Sequence, residues 1–143
     1  MTGRQTALMP GNEDKVGYWL TPPDLMAQLQ AEFDFNDDAC PYPRPAGYDG
    51  LRESWGTRTW VNPPFRQKEA RRLNEWARKA VAERDSGPGR LVVFIGPVYR
   101  WIGTLLEAGA EVRYRNVAWR TPDGVSRPHG AVPTALFILR PKP

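Results

Sequence analysis

"TRTWVNPPFRQKEARRLNEWARKAVAERDSGPGRLVVFIGP" occupies residues 57–97, and its reading decides the fold. "TRTWV" (57–61) is β-branched and aromatic and reads as a strand. Asn62-Pro63-Pro64 stops it, because proline cannot donate to a sheet ladder. "QKEARRLNEWARKAVAER" (67–84) places Ala70, Leu73, Trp76, Ala77, Ala80 and Val81 at helical spacing. "SGPG" (86–89) breaks that helix. "RLVVFIGP" (90–97) is apolar without alternation, as a strand buried on both faces must be. Strand, helix, strand in succession predicts an α/β fold around a largely parallel sheet.

The flanks extend this pattern. "TPPDLMAQLQAEF" (21–33) predicts a short helix with Thr21 as its cap, Pro22 and Pro23 in its first turn and Asp24 at the positive end of its dipole. Leu25, Met26, Leu29 and Phe33 form its apolar face. "DFNDDACP" (34–41) reads as a short strand end entering a loop that lasts to residue 57. "YRWIGTLLEAG" (99–109) predicts a helix stopped by Gly109. "EVRYRNVAW" (111–119) and "TALFILR" (134–140) follow as strands with no helix between them, so an antiparallel pair at one edge is expected. The intervening loop (120–133) is long and polar, with Arg120, Arg127 and His129, and is expected to be mobile until it orders over a bound partner. Residues 1–17 read as a flexible arm before a single domain spanning 18–143.

The 143 residues suffice for one core. No apolar run approaches the roughly 18 residues of a membrane span, and the first residues lack the apolar core of a secretory leader. Cys40 is the single cysteine, so no internal disulfide forms, no Cys/His cluster has zinc spacing, and a reducing cytosol is expected. The net charge of +4 comes mostly from arginine, which suits phosphate contacts. A coding bias toward arginine explains the composition equally well.

"NPPF" (62–65) carries the chemistry. An exocyclic amine on adenine or cytosine is a poor nucleophile, because its lone pair is delocalised into the ring. Two acceptors close together, the Asn62 side-chain oxygen and the Pro63 carbonyl, would take both amine hydrogens and turn the lone pair out of the ring plane. Pro63 and Pro64 stiffen the loop, so the acceptors are in place before substrate arrives. Phe65 offers a π-face for a flipped base. The plain alternative is a proline-stiffened turn with Phe65 in the core. An Asn-Pro-Pro-aromatic run directly after a strand is rare enough by chance to favour the amine clamp.

That tetrad resembles the amine-binding motif of AdoMet-dependent amino-methyltransferases. More narrowly, "WLTPPDL" (19–25), "DACP" (38–41), "DGL" (49–51), Trp55 and "WVNPPF" (60–65) are similar in order and spacing to compact phage-type DNA N-6-adenine methyltransferases. "LVVFIGP" with Trp101 is similar to the segment that follows, and the likeness fades after residue 110. Ala39 stands where the family pattern often has proline, Asn36 replaces a frequent aspartate, and no Gly-x-Gly loop follows the first strand.

The resemblance implies a reduced Rossmann-like methyltransferase sandwich with an antiparallel edge. It implies methyl transfer from S-adenosyl-L-methionine (AdoMet) to adenine in DNA, in the cytoplasm of a bacterial host if phage-encoded, with a place in restriction-modification. Asn62, Pro63, Pro64 and Phe65 would be catalytic. Trp19, Thr21, Pro22, Asp38, Cys40 and Asp49 would lie at the AdoMet site. For these the competing readings are a helix cap for Thr21, a staple for Trp19, a solvated carboxylate for Asp38, packing for Cys40 and a turn cap for Asp49. Arg66, Lys68, Arg120 and Arg127 would meet DNA phosphates, with solvated surface as the alternative. No metal or membrane partner is implied. Rival functions are a DNA-binding module of the same fold without AdoMet binding, and methylation of cytosine N4 or a protein glutamine.

Overall fold

The computed structural model describes residues 20–64, 70–115, 117, 119–120, 126–127 and 134–143, with backbone alone at Ala70, Arg71, Arg120, Ser126 and Arg127. The chain runs α1 (Pro23–Phe33), β1 (Asp37–Asp38), β2 (Arg58–Val61), α2 (Ala70–Asp85), β3 (Leu91–Pro97), a 3-10 turn (Arg100–Ile102) leading into α3 (Gly103–Glu107), β4 (Glu111–Arg115), β5 (Trp119–Arg120), β6 (Ser126–Arg127) and β7 (Thr134–Leu139). The expected arm at 1–17 lies outside the described residues.

The main sheet has the order β1-β2-β3-β7-β4. β1 pairs with β2, and β2 with β3, in parallel; β7 is antiparallel to both β3 and β4. The expectation of a largely parallel sheet is therefore corrected: the sheet is mixed, and its longer ladders are the antiparallel ones. The cause is β7. Its residues alternate between both layers of the core and are all buried, so it must occupy an interior position. It enters between β3 and β4 and inverts both pairings. The antiparallel pair expected at one edge is β7 with β4.

β3 is buried along its whole length, as its unbroken apolar run requires. Val92 and Phe94 join Leu73, Trp76, Ala77 and Ala80 of α2 and Leu105 of α3 in one layer. Val93 and Ile95 join Leu29 and Phe33 of α1 in the other, against which Leu25 and Met26 also pack. Two helices thus cover one face of the sheet and one helix the other. The strand expected over 111–119 ends at Arg115. Val117 and Trp119 are buried in the α1 layer, which draws the chain off the line of β4. Trp119–Arg120 then pairs with Ser126–Arg127 in a separate two-stranded ladder, where a continuous loop was expected.

The connection at 41–57 has no helix or strand, as expected, yet it is tightly held. The Tyr48 hydroxyl donates to the Ala39 carbonyl at 2.9 Å, and the Trp55 indole N–H donates to the Gly50 carbonyl at 2.8 Å. Gly50 is required here: a Cβ would collide with the Ala39 carbonyl and the Trp76 ring. Asp37, 5% exposed, accepts from the backbone N–H of Asp38 and Gly56. These bonds fold the connection over the otherwise open edge at β1.

Candidate active site at the carboxyl rim

β1, β2, β3 and β4 all point the same way, so their carboxyl ends form one rim. That rim is where open α/β sheets place ligands. The first strand end contributes Asp38, Ala39 and Cys40. Ala39 extends the parallel pairing by donating to the Trp60 carbonyl at 3.0 Å. β2 contributes Asn62, Pro63 and Pro64. In the β2–β3 register Val61 lies beside Phe94, so these three residues begin where the ladder to β3 ends.

The Asn62 side chain is half-buried, and its amide nitrogen donates to the Thr21 hydroxyl at 3.2 Å. The two residues are separated by 41 positions. This contact joins the start of α1 to the Asn-Pro-Pro segment, which sequence order alone does not bring together. Of the two amide atoms, the nitrogen is the one that faces Thr21. Pro63 is buried and Pro64 half-buried, so the backbone after Asn62 is stiff and seated.

Thr21 is therefore not the helix cap the sequence suggests. The cap position is Pro22, no side-chain cap bonds the first turn of α1 among the described residues, and the helix begins at Pro23. The Thr21 hydroxyl instead serves Asn62. Asp24 does sit in the first turn, as expected.

Asp38 is half-buried, and one oxygen accepts from the Cys40 backbone N–H at 3.0 Å. This closes an Asx turn at the strand end and orients the carboxylate. Cys40 packs against the α2 layer. Asp49 performs the turn-capping job: one oxygen accepts from the Leu51 N–H at 3.0 Å, and the other lies 3.6 Å from the Arg52 guanidinium. Trp19, Phe65, Arg66 and Lys68 lie outside the described residues. Arg120 and Arg127 stand in the small ladder that Trp119 anchors on the α1 layer.

Sequence reading missed one feature of the rim. A cleft of about 740 Å³ opens between α2 and the segment after β3, lined by Leu73, Asn74, Tyr99, Arg100, Trp101 and Thr104. Gly96 lets the Trp101 ring pack against β3, since a Cβ there would strike it. Tyr99 and Arg100 directly follow the buried strand, and that position was the available signal.

Among the described residues, no helix is long and apolar enough to cross a membrane and no group of three or more His, Cys, Asp or Glu could hold a metal ion. No family model, curated protein or solved structure matches the chain.

Proposed function

We propose that the chain is an AdoMet-dependent methyltransferase acting on the exocyclic amine of adenine in DNA, built on a reduced Rossmann-like sandwich. One observation carries the reading. Asn62, the acceptor that the chemistry needs, is tied through Thr21 to the start of α1, so two separate parts of the sequence resemblance meet at one rim. A turn that merely ends a strand needs no such partner.

The residues present fit AdoMet. In the first turn of α1 the Asp24 and Leu25 N–H groups have no side-chain cap among the described residues, and they are suitable partners for the cofactor's carboxylate. The oriented Asp38 carboxylate suits its amino or ribose hydroxyl groups. When bound, AdoMet supplies an electrophilic methyl group on a sulfonium.

The chain's own residues then act on the amine. The Asn62 oxygen and the Pro63 carbonyl accept its two hydrogens and draw its lone pair out of conjugation. Because Thr21 and the prolines hold these acceptors, little reorganisation is needed when the base arrives. Phe65 provides the stacking face. The methylated amine loses its proton to solvent, so no dedicated base is required.

The test is transfer of labelled methyl from AdoMet to unmethylated DNA, with the modified nucleoside identified afterward. N6-methyladenine is expected; label on cytosine or on added protein, or none, overturns the assignment. The engagement of Asp49 by Leu51 and Arg52 favours a second reading at one point, since a carboxylate proposed for AdoMet is occupied. That reading is a DNA-binding module without cofactor. Calorimetry separates the two: it predicts no heat with AdoMet or its demethylated product, yet retained binding to DNA.

A further inference from the structure

We infer that the cleft between α2 and the segment after β3 receives the nucleotide adjacent to the target base, with Tyr99 as its stacking face. The inference rests on the DNA methylation reading and extends it to a second subsite. Four observations lead to it.

The first is place. Tyr99 stands two residues beyond the end of β3, and Asn62 directly follows β2, the parallel neighbour of β3. The cleft and the clamp thus follow adjacent parallel strands at the same end of the sheet. The second is the ring itself. Tyr99 is 51% exposed, although it follows a strand that is wholly buried. An aromatic ring left open in the wall of a cleft is a platform for another flat ring.

The third is polarity. The Thr104 hydroxyl donates to the Asn74 side-chain oxygen at 2.9 Å. That bond orients Asn74 and leaves its amide N–H groups as donors toward base or phosphate oxygens. Exposed Arg100 adds a cation beside Tyr99, whereas exposed Glu107 lies in the same lining and disfavours phosphate on its own side. The sugar-phosphate chain would therefore pass by Arg100. The fourth is size. A volume of about 740 Å³ accommodates a nucleotide, within the usual range of small-molecule sites.

The chemistry supplies the reason for such a site. When a base is extruded from a duplex, its neighbour loses a stacking partner, which costs free energy. A protein ring presented to that uncovered face recovers part of the loss. Leu73 and Trp101, both buried in the core, form the floor of the cleft.

The experiment uses the full chain and two labelled single strands of equal length. One carries bases throughout; the other has abasic sugars at a central stretch. The parent protein should prefer the base-bearing strand. Tyr99→Ala should bind that strand about tenfold more weakly and keep only the part of the preference that the clamp supplies, while Tyr99→Phe keeps it all. Arg100→Ala should weaken both strands equally and reduce the salt slope by about 0.7 unit. Unchanged melting of the variants establishes that the fold is intact. A Tyr99→Ala protein that retains the whole preference overturns the subsite; if the parent still methylates DNA, the activity stands without it. A parent protein that binds neither strand and methylates no DNA overturns both.

Discussion

The two ends of the sheet use polar side chains differently. At the amino end, arginines hold the elements together. Arg84, 4% exposed, donates to the carbonyls of Ala108 and Arg140 and to the Asp85 carboxylate, joining the ends of α2, α3 and β7. Arg90 reaches Glu83 and the carbonyls of Trp55 and Gly56. Arg58 donates to the Phe33 carbonyl at 2.6 Å, and Arg113 forks onto Glu32. At the carboxyl rim the polar residues are short and bond one another or a nearby backbone group: Asn62 with Thr21, Asp38 with Cys40, and Asn74 of α2 with Thr104 of α3. The difference teaches that arginine content is no measure of DNA binding in this chain. Several arginines serve as internal fasteners, and the proposed chemistry is assigned to the end where arginine is not the main bond-maker.

The sharpest way to break that contrast is at Asn62. Asn62→Ala should reduce methyl transfer by a hundredfold or more, because a lost preorganised acceptor costs roughly 3 kcal/mol of barrier. AdoMet affinity should change little, and loss of the Thr21 bond should lower stability by only about 1 kcal/mol. Single-turnover transfer, calorimetry and denaturant unfolding read the three quantities. Transfer at the parent rate removes Asn62 from the chemistry.

The opposite pattern is expected at the other end. Arg84→Met removes a buried guanidinium and leaves two carbonyls without their donor. It should destabilise the fold by about 2–4 kcal/mol. Below the melting transition, transfer per folded molecule should match the parent. A stability loss below about 0.5 kcal/mol would show that the buried arginine is not a fastener.

A comparison within the rim sharpens it further. Asp38→Asn should weaken AdoMet binding by about 1.5–3 kcal/mol, the usual loss for one charge-assisted hydrogen bond. Asp49→Asn should leave AdoMet affinity unchanged and cost about 1 kcal/mol of stability at most, since its carboxylate caps a turn. Equal losses of affinity in both variants would return Asp49 to the cofactor site.

How far the sequence could be read follows from the same division. The alternation of strand and helix, the buried β3 and the apolar faces of α1 and α2 were legible, because each rests on local periodicity. The insertion of β7 between β3 and β4 was not, since both adjacencies are long-range and periodicity says nothing of strand order. Asn62 was legible as chemistry, being framed by prolines. Its bond to Thr21 was not, because a threonine before two prolines looks like a cap, and only folding shows the hydroxyl turned elsewhere. The roles of Arg84 and Arg90 were hidden for a similar reason. An arginine bonded to backbone carbonyls has no partner that side-chain identities reveal.

The smallest expected effect concerns pH. Arg113 lies between Glu32 and Glu111, with N–O distances of 2.8 and 2.9 Å, and Arg140 reaches Glu111 at 3.0 Å. Hydrogen bonding to Arg113 holds the Glu32 carboxyl below the usual glutamate value, and bonds to Arg140 and then Arg113 do the same for Glu111. A folded-state value below the unfolded one means that the unfolded chain binds protons first as pH falls. The stabilisation is complete above the unfolded glutamate value and fades as pH drops through the folded one. Both carboxylates are about two-fifths exposed, so solvent and salt weaken the effect to a few tenths of a kcal/mol. Arg113→Met removes the main partner of Glu32 and one of two for Glu111, while retaining apolar contact near the Phe33 ring on which the guanidinium rests. The variant should lose less stability than the parent between neutral and acidic pH, and the difference should shrink in high salt. Denaturant midpoints along a pH series at two salt concentrations measure it. Parallel curves for the two proteins would mean that this cluster contributes packing and no charge-dependent stability.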